Sequence, residues 1–202
     1  MAGLGTGPDG EMRMSLVELI AQADERGLAA SGLACLDRCV PLLGGDDDEV
    51  LRPLWANLVD GGDAGAWGAL LDEARARLGV ADVMAAEDVE DEAALLVRRM
   101  LAAAPAVRSA PEARVWADAC SVAALQVHRL LDLADDPDSV EAHRTGRTEG
   151  MSPLVAAELR RQITVLELLA EHGTGGLRRA LDVSTEGRRV LRAVVSRRAR
   201  HG

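Results

Sequence analysis

A chain of 202 residues, 48% apolar and 28% charged, fits one globular domain that needs no disulfide or metal staple to bury a core. All 23 basic residues are arginine, and lysine, phenylalanine and tyrosine are absent. That excludes a Schiff-base or phosphate-loop lysine and a phenolic acid, and leaves Trp55, Trp67 and Trp116 as the only side chains for stacking on a base or ring. The net charge of −10 is uneven: residues 1–172 hold 15 Arg against 31 acids, a net −16, and residues 173–202 hold eight Arg against Asp182 and Glu186, a net +6. The missing residue types share A/T-rich codons, which points to a GC-rich genome such as an actinobacterium's.

Residues 1–14 are glycine-rich and acidic, without the basic and apolar regions of a signal peptide, and are expected to be disordered. Met12 and Met14 are alternative starts to Met1, because the first capped helix opens at Ser15. Ser15 with Glu18 reads as a capping box for a helix to about Ala29, with Leu16, Leu19, Ile20 and Ala23 inward. A second helix is expected from Ser31 to about Leu42, carrying Leu33, Leu36 and Val40 and stopped by Gly44-Gly45. Asp46, Asp47, Asp48 and Glu49 suit the start of a third helix, where anions favour the macrodipole. That helix holds Leu51, Leu54, Trp55 and Leu58. Asp63 caps a fourth, with Trp67, Leu70, Leu71, Ala74 and Leu78, closed by Gly79. Residues 80–86 read as a turn or short helix, and acids 87–92 lead into a fifth helix with Leu95, Leu96, Val97, Met100 and Leu101.

Ser109 and Glu112 form a second capping box around Pro111. The helix they open, expected to be the longest, runs to about Ala134 with Val115, Cys120, Val122, Leu125, Leu130 and Leu133 inward. Residues 135–150 read as a mobile charged loop with a helical turn over 139–144. Ser152-Pro153 starts a helix to His172, followed by a short helix near Gly175–Leu181 and a last one from Ser184 to Arg200. No two-residue alternation occurs, so the fold class is all-α: a single-domain multi-helix bundle or orthogonal array of about eight to ten helices. Its parts are a tail (1–14), a helical core (15–134), a charged loop (135–151) and C-terminal helices with a basic tail (152–202), in the same domain or as a small appendage.

Cys35, Cys39 and Cys120 are odd in number with no secretory signal before them, so a cytoplasmic location with buried thiols is expected. Cys35 and Cys39 share a helix face, but a zinc site wants four ligands and no paired histidines follow. His128 lies eight residues after Cys120, ~12 Å along a helix, too far for a direct dyad. Asp132, Asp135, Asp136 and Asp138 cluster at a helix end without a metal-binding Asp-Asp-x-x-Asp spacing, and Asp46–Glu49 lacks that of a calcium loop. His143, Arg144 and Arg147 make a candidate phosphate grip in the charged loop. No dinucleotide, phosphate-loop, nucleophile-elbow or zincin motif is present, and no cofactor or metal ligand set is assigned.

The C-terminus carries the strongest functional signal. Leu181-Asp182-Val183-Ser184 resembles the turn of a helix-turn-helix over about 166–198, which would make Arg188, Arg189 and Arg192 part of a recognition helix. Arg178 and Arg188 depart from that pattern, and Gly175-Gly176 weakens its first helix. Read otherwise, the last helix is a basic amphipathic element for an acidic partner. The leading expectation is a non-enzymatic cytoplasmic regulatory or adaptor protein acting through helix-face contacts, with Arg188, Arg189, Arg192, Arg197 and Arg198 as its contact charges and no membrane span. The second is a DNA-binding transcriptional regulator, with duplex DNA as partner, and the third an all-α metal-dependent enzyme with a site near Asp132–Asp138 and His128.

Overall fold

The structure is a computed structural model and describes residues 14–44, 49–79, 89–134, 136 and 138–200. Among these the chain is helical throughout, with no strand. The tail over 1–13, Asp46–Asp48 and the segment 80–86 lie outside the described residues.

Helix α1 (Leu16–Gln22) opens on the expected capping box: the Ser15 N–H donates to Glu18 Oε2 at 2.7 Å, and the Glu18 N–H to Ser15 Oγ at 3.4 Å. It stops a full two turns earlier than the sequence suggests. Ala23 is extended, and Asp24 starts a new helix by accepting from the Gly27 N–H at 2.7 Å. Helix α2 (Glu25–Cys39) therefore runs through Ser31, which caps nothing, and ends in a 3₁₀ turn over Val40–Leu43. Gly44 closes that turn at φ +69°, a conformation open to glycine at little cost.

Helix α2 is buried on every side from Gly27 to Cys39, which is why its apolar pattern is not a stripe. Small residues let its neighbours close in. A Cβ on Gly32 would lie 2.8 Å from the ring of Trp116. The remaining helices are α3 (Arg52–Val59), α4 (Ala64–Arg77), α5 (Val89–Ala102), α6 (Ala110–Leu131), α7 (Val140–Arg144), α8 (Pro153–His172) and α9 (Gly176–Arg198). Helix α2 packs most extensively on α6, and α8 and α9 pack on it and on each other, so the C-terminal helices complete the core.

Two apolar clusters result. The larger gathers α2 to α6 and α9 around Trp55, Trp67 and Trp116, with Trp67 and Trp116 edge-to-face at 6.3 Å. The smaller joins α1, the other side of α6, and α8 through Leu16, Leu125, Val155 and Leu166. Val115 and Leu133, expected inward, are 72% and 93% exposed. Leu133 falls past the end of α6, and Val115 lies on the solvent-exposed face of α6.

Candidate functional site

Helix α9 is one continuous helix where two were expected. The turn proposed at Leu181–Ser184 is absent: Ser184 donates its hydroxyl to the Ala180 carbonyl at 2.8 Å within the helix, while Leu181 and Val183 pack on the core. The helix-turn-helix geometry over 166–198 is thereby replaced by an antiparallel pair, α8 and α9, joined by a 3₁₀ turn at Gly173–Gly175. The longest helix is α9 at 23 residues, one longer than α6.

The five arginines read as contact charges do not share one role. Arg188 is buried and its Nη1 donates to Asp37 Oδ1 at 2.6 Å, so it is an internal ion-pair partner and not a surface charge. Arg198 is half-buried and donates to the Leu130 carbonyl at 3.1 Å, closing the C-terminus of α6. Arg192 is half-buried. Arg189 and Arg197 are exposed, Arg189 at 3.8 Å from Glu186. Arg178, in the sequence only a departure from the helix-turn-helix pattern, is exposed as well, and so are Arg179 and, past the helix end, Arg200. Arg178 and Arg189 lie eleven positions apart, three helical turns, and so share one face of α9 ~16 Å apart, with Arg200 in the turn just past the helix end.

Behind α9 lies a polar network that no sequence motif announced. Arg38 and Glu158 are fully buried and meet through two hydrogen bonds, Nε to Oε2 at 2.8 Å and Nη2 to Oε1 at 2.6 Å. Gln162 donates to Glu158 at 2.9 Å and accepts from the Ser121 hydroxyl at 2.7 Å. Arg144 continues the chain, donating to Ser121 at 3.1 Å and pairing with Asp118 and Glu141. Burial is the largest influence on Glu158 and raises its pKa, but the Arg38 and His128 charges and the hydrogen bonds from Arg38 and Gln162 together outweigh it and hold the carboxyl below its usual value. Asp37 is the opposite case: burial dominates and its pKa is raised despite Arg188.

The three thiols sit beside this network and within electrostatic reach of one another. Burial pushes Cys35 up to about 12 and raises Cys39 and Cys120 well above the ordinary value, so these are inert thiols and not nucleophiles. His128 is also buried. Its Nδ1 lies 2.7 Å from the Ala124 carbonyl and its Nε2 3.7 Å from Glu158, and burial lowers its pKa in spite of that carboxylate.

The acidic stretch at the end of α6 braces the loop. Asp132 accepts from the Leu154 N–H at 2.7 Å and from the Ala134 N–H at 3.1 Å. Asp136 is buried and accepts from the Ser152 and Asp138 N–H groups, and it faces His143 Nε2 at 2.8 Å. Asp138 pairs with Arg147. Among the described residues no group of three or more His, Cys, Asp or Glu is placed to hold a metal ion. The expected phosphate grip is likewise occupied: both His143 nitrogens and all three Arg144 nitrogens already have protein partners, and Arg147 points elsewhere, to Asp138. Trp55, Trp67 and Trp116 are all buried, which leaves no indole to stack on a base.

A cleft of about 650 Å³ opens between the start of α1, the segment 143–151 and one face of α8. No helix among the described residues is long and apolar enough to cross a membrane. Comparison with family models, with curated proteins and with solved structures finds no match to this chain.

Proposed function

We propose that the protein is a non-enzymatic regulatory or adaptor protein whose α9 outer face docks an extended acidic segment of a protein partner. The supporting observation is Arg178 and Arg189 on one face of α9, flanked by the exposed Arg179 and Arg197 and followed by the exposed Arg200 just past the helix end, while the other faces of the helix are packed. Within α9 the acids are Asp182 and Glu186, and the small residues Ala193 and Ser196 are the remaining exposed positions between Arg189 and Arg197. A face with arginine forks and no apolar anchor suits carboxylates on a flexible chain better than a folded hydrophobic patch. Contact charges of this kind govern association rate and salt dependence. The body that carries the helix is strongly acidic, which discourages a long polyanion from lying across it.

The reading is tested with a labelled oligoglutamate peptide titrated against the wild type and Arg178→Glu/Arg189→Glu/Arg200→Glu. Binding that weakens with salt and vanishes in the triple variant, with an unchanged melting temperature, is the expected result. Equal binding by the variant removes the reading. Tighter and more salt-sensitive binding of random-sequence duplex DNA than of the peptide would replace it with a DNA-binding one.

A further inference from the structure

The cleft between α1, the 143–151 segment and α8 has features that the α9 surface does not use. Its volume of about 650 Å³ is that of a small-ligand site. The floor is apolar, built from Leu16, Leu159 and Ile163, with Met14 and Met151 on the walls. Methionine walls adapt to an apolar guest because the side chain is unbranched and polarizable. The buried His143 and Arg144 also line it, yet their hydrogen bonds all run to the protein, so neither offers a charge to a guest.

Besides Glu18, whose carboxylate accepts from the Ser15 N–H and hydroxyl at the start of α1, two lining side chains do offer one. Arg160 and Glu167 are exposed, belong to the same face of α8, and make no ion pair or side-chain hydrogen bond among the described residues. Seven residues separate them, two helical turns, or ~10 Å along the axis. Ile163 lies between them on that face. The cleft thus carries a cation at one point and an anion ~10 Å away, over a greasy floor. A tripeptide in extended form spans ~10 Å between its termini. We propose that this cleft binds a short apolar peptide with free ends, its carboxylate on Arg160, its ammonium on Glu167 and its side chains on the Leu16, Leu159 and Ile163 floor. The site is separate from the α9 face, so either stands without the other.

Isothermal titration of the full chain with trileucine at neutral pH tests this. Trileucine is expected to bind, and its N-acetyl and C-amide forms to bind ~5-fold more weakly each, the loss of one rim ion pair. Arg160→Glu should weaken the free peptide further. Arg160→Glu/Glu167→Arg should restore it, because the peptide can lie in the reverse direction when the two charges are exchanged. Absence of binding by trileucine overturns the proposal. So does equal affinity for the blocked peptides, which tests the charge pairing without any substitution, or a double variant as weak as the single one.

Discussion

Arg38 carries its charge to the centre of the molecule and meets Glu158 there in a two-pronged pair with no exposed surface. Such a pair adds little net stability, but removing one partner strands the other charge in a dry site. Arg38→Met is expected to cost ~3–5 kcal/mol, read as a lower urea midpoint, and Arg38→Met/Glu158→Met to recover most of it. His128 gives a pH signature. Burial lowers its folded pKa, so its neutral form is the one the fold accepts. The protein should therefore be fully stable above the ordinary imidazole value of ~6.5 and lose stability as pH falls from there toward the depressed folded value. Denaturant melts between about pH 7.5 and about pH 5.5 measure that slope, and His128→Leu should flatten it. The Glu158 contribution, from a lowered carboxyl pKa, is lost only further down, as pH falls below ~4.3. Neither residue stood out in the sequence with these partners, because 120 positions separate Arg38 from Glu158 and no local spacing encodes the meeting. Arginine takes a second role where other chains use glycine caps. Arg114 donates to the Ile20 and Ala21 carbonyls at the end of α1, Arg75 to the Leu101, Ala102 and Ala104 carbonyls around the end of α5, and Arg198 to Leu130 on α6. Five donors in a planar fork allow one side chain to close several orphan carbonyls.

At the scale of elements, caps were legible and interruptions were not. Ser15, Asp63, Ser109 and Ser139 each accept from the backbone N–H two or three residues on, as their side chains dictate. Asp24 does the same, but Ala23 before it and Glu25 after it are good helix formers, so the break between α1 and α2 is invisible in the periodicity. The converse error joined Leu181–Ser184 to the wrong class: Asp and Ser favour turns locally, yet their neighbours Leu181 and Val183 are held by the core and α9 runs on. The α2–α6 contact depends on Gly32, where a methyl group would lie 2.8 Å from the Trp116 ring. Gly32→Ala should cost ~1–3 kcal/mol by overpacking, despite the better helix propensity of alanine, and should alter the Trp116 fluorescence. Exposed Leu133 provides the contrast: Leu133→Ser should change stability by no more than ~0.5 kcal/mol.

Over the whole molecule the basic end is not a free tail. Helix α9 packs on α2, α3 and α8 and is pinned by Arg188 to Asp37, with Gly187 fitted against the side chains of Arg38 and Arg161. Two adjacent arginines therefore have opposite consequences. Arg188→Ala leaves Asp37 buried without its main partner and should lower stability by ~3 kcal/mol or more, while Arg189→Ala should leave stability nearly unchanged and weaken oligoglutamate binding. Thermal melts and peptide titration on the two variants separate the internal arginine from the external one. The charge imbalance visible in the sequence is thus partly neutralised inside the fold and partly displayed outside it.

The sequence by itself determined the all-α class, most helix starts and the absence of a membrane-crossing helix among the described residues, because caps, periodicity and apolar run length are local properties written within a few turns. Only the tertiary structure decided which arginines face solvent, that α9 is a single helix, that the acidic loop braces itself, and that a cleft forms between α1 and α8. Those outcomes depend on burial and on partners far apart in the chain, and burial is set by how whole helices pack rather than by any residue's neighbours in sequence.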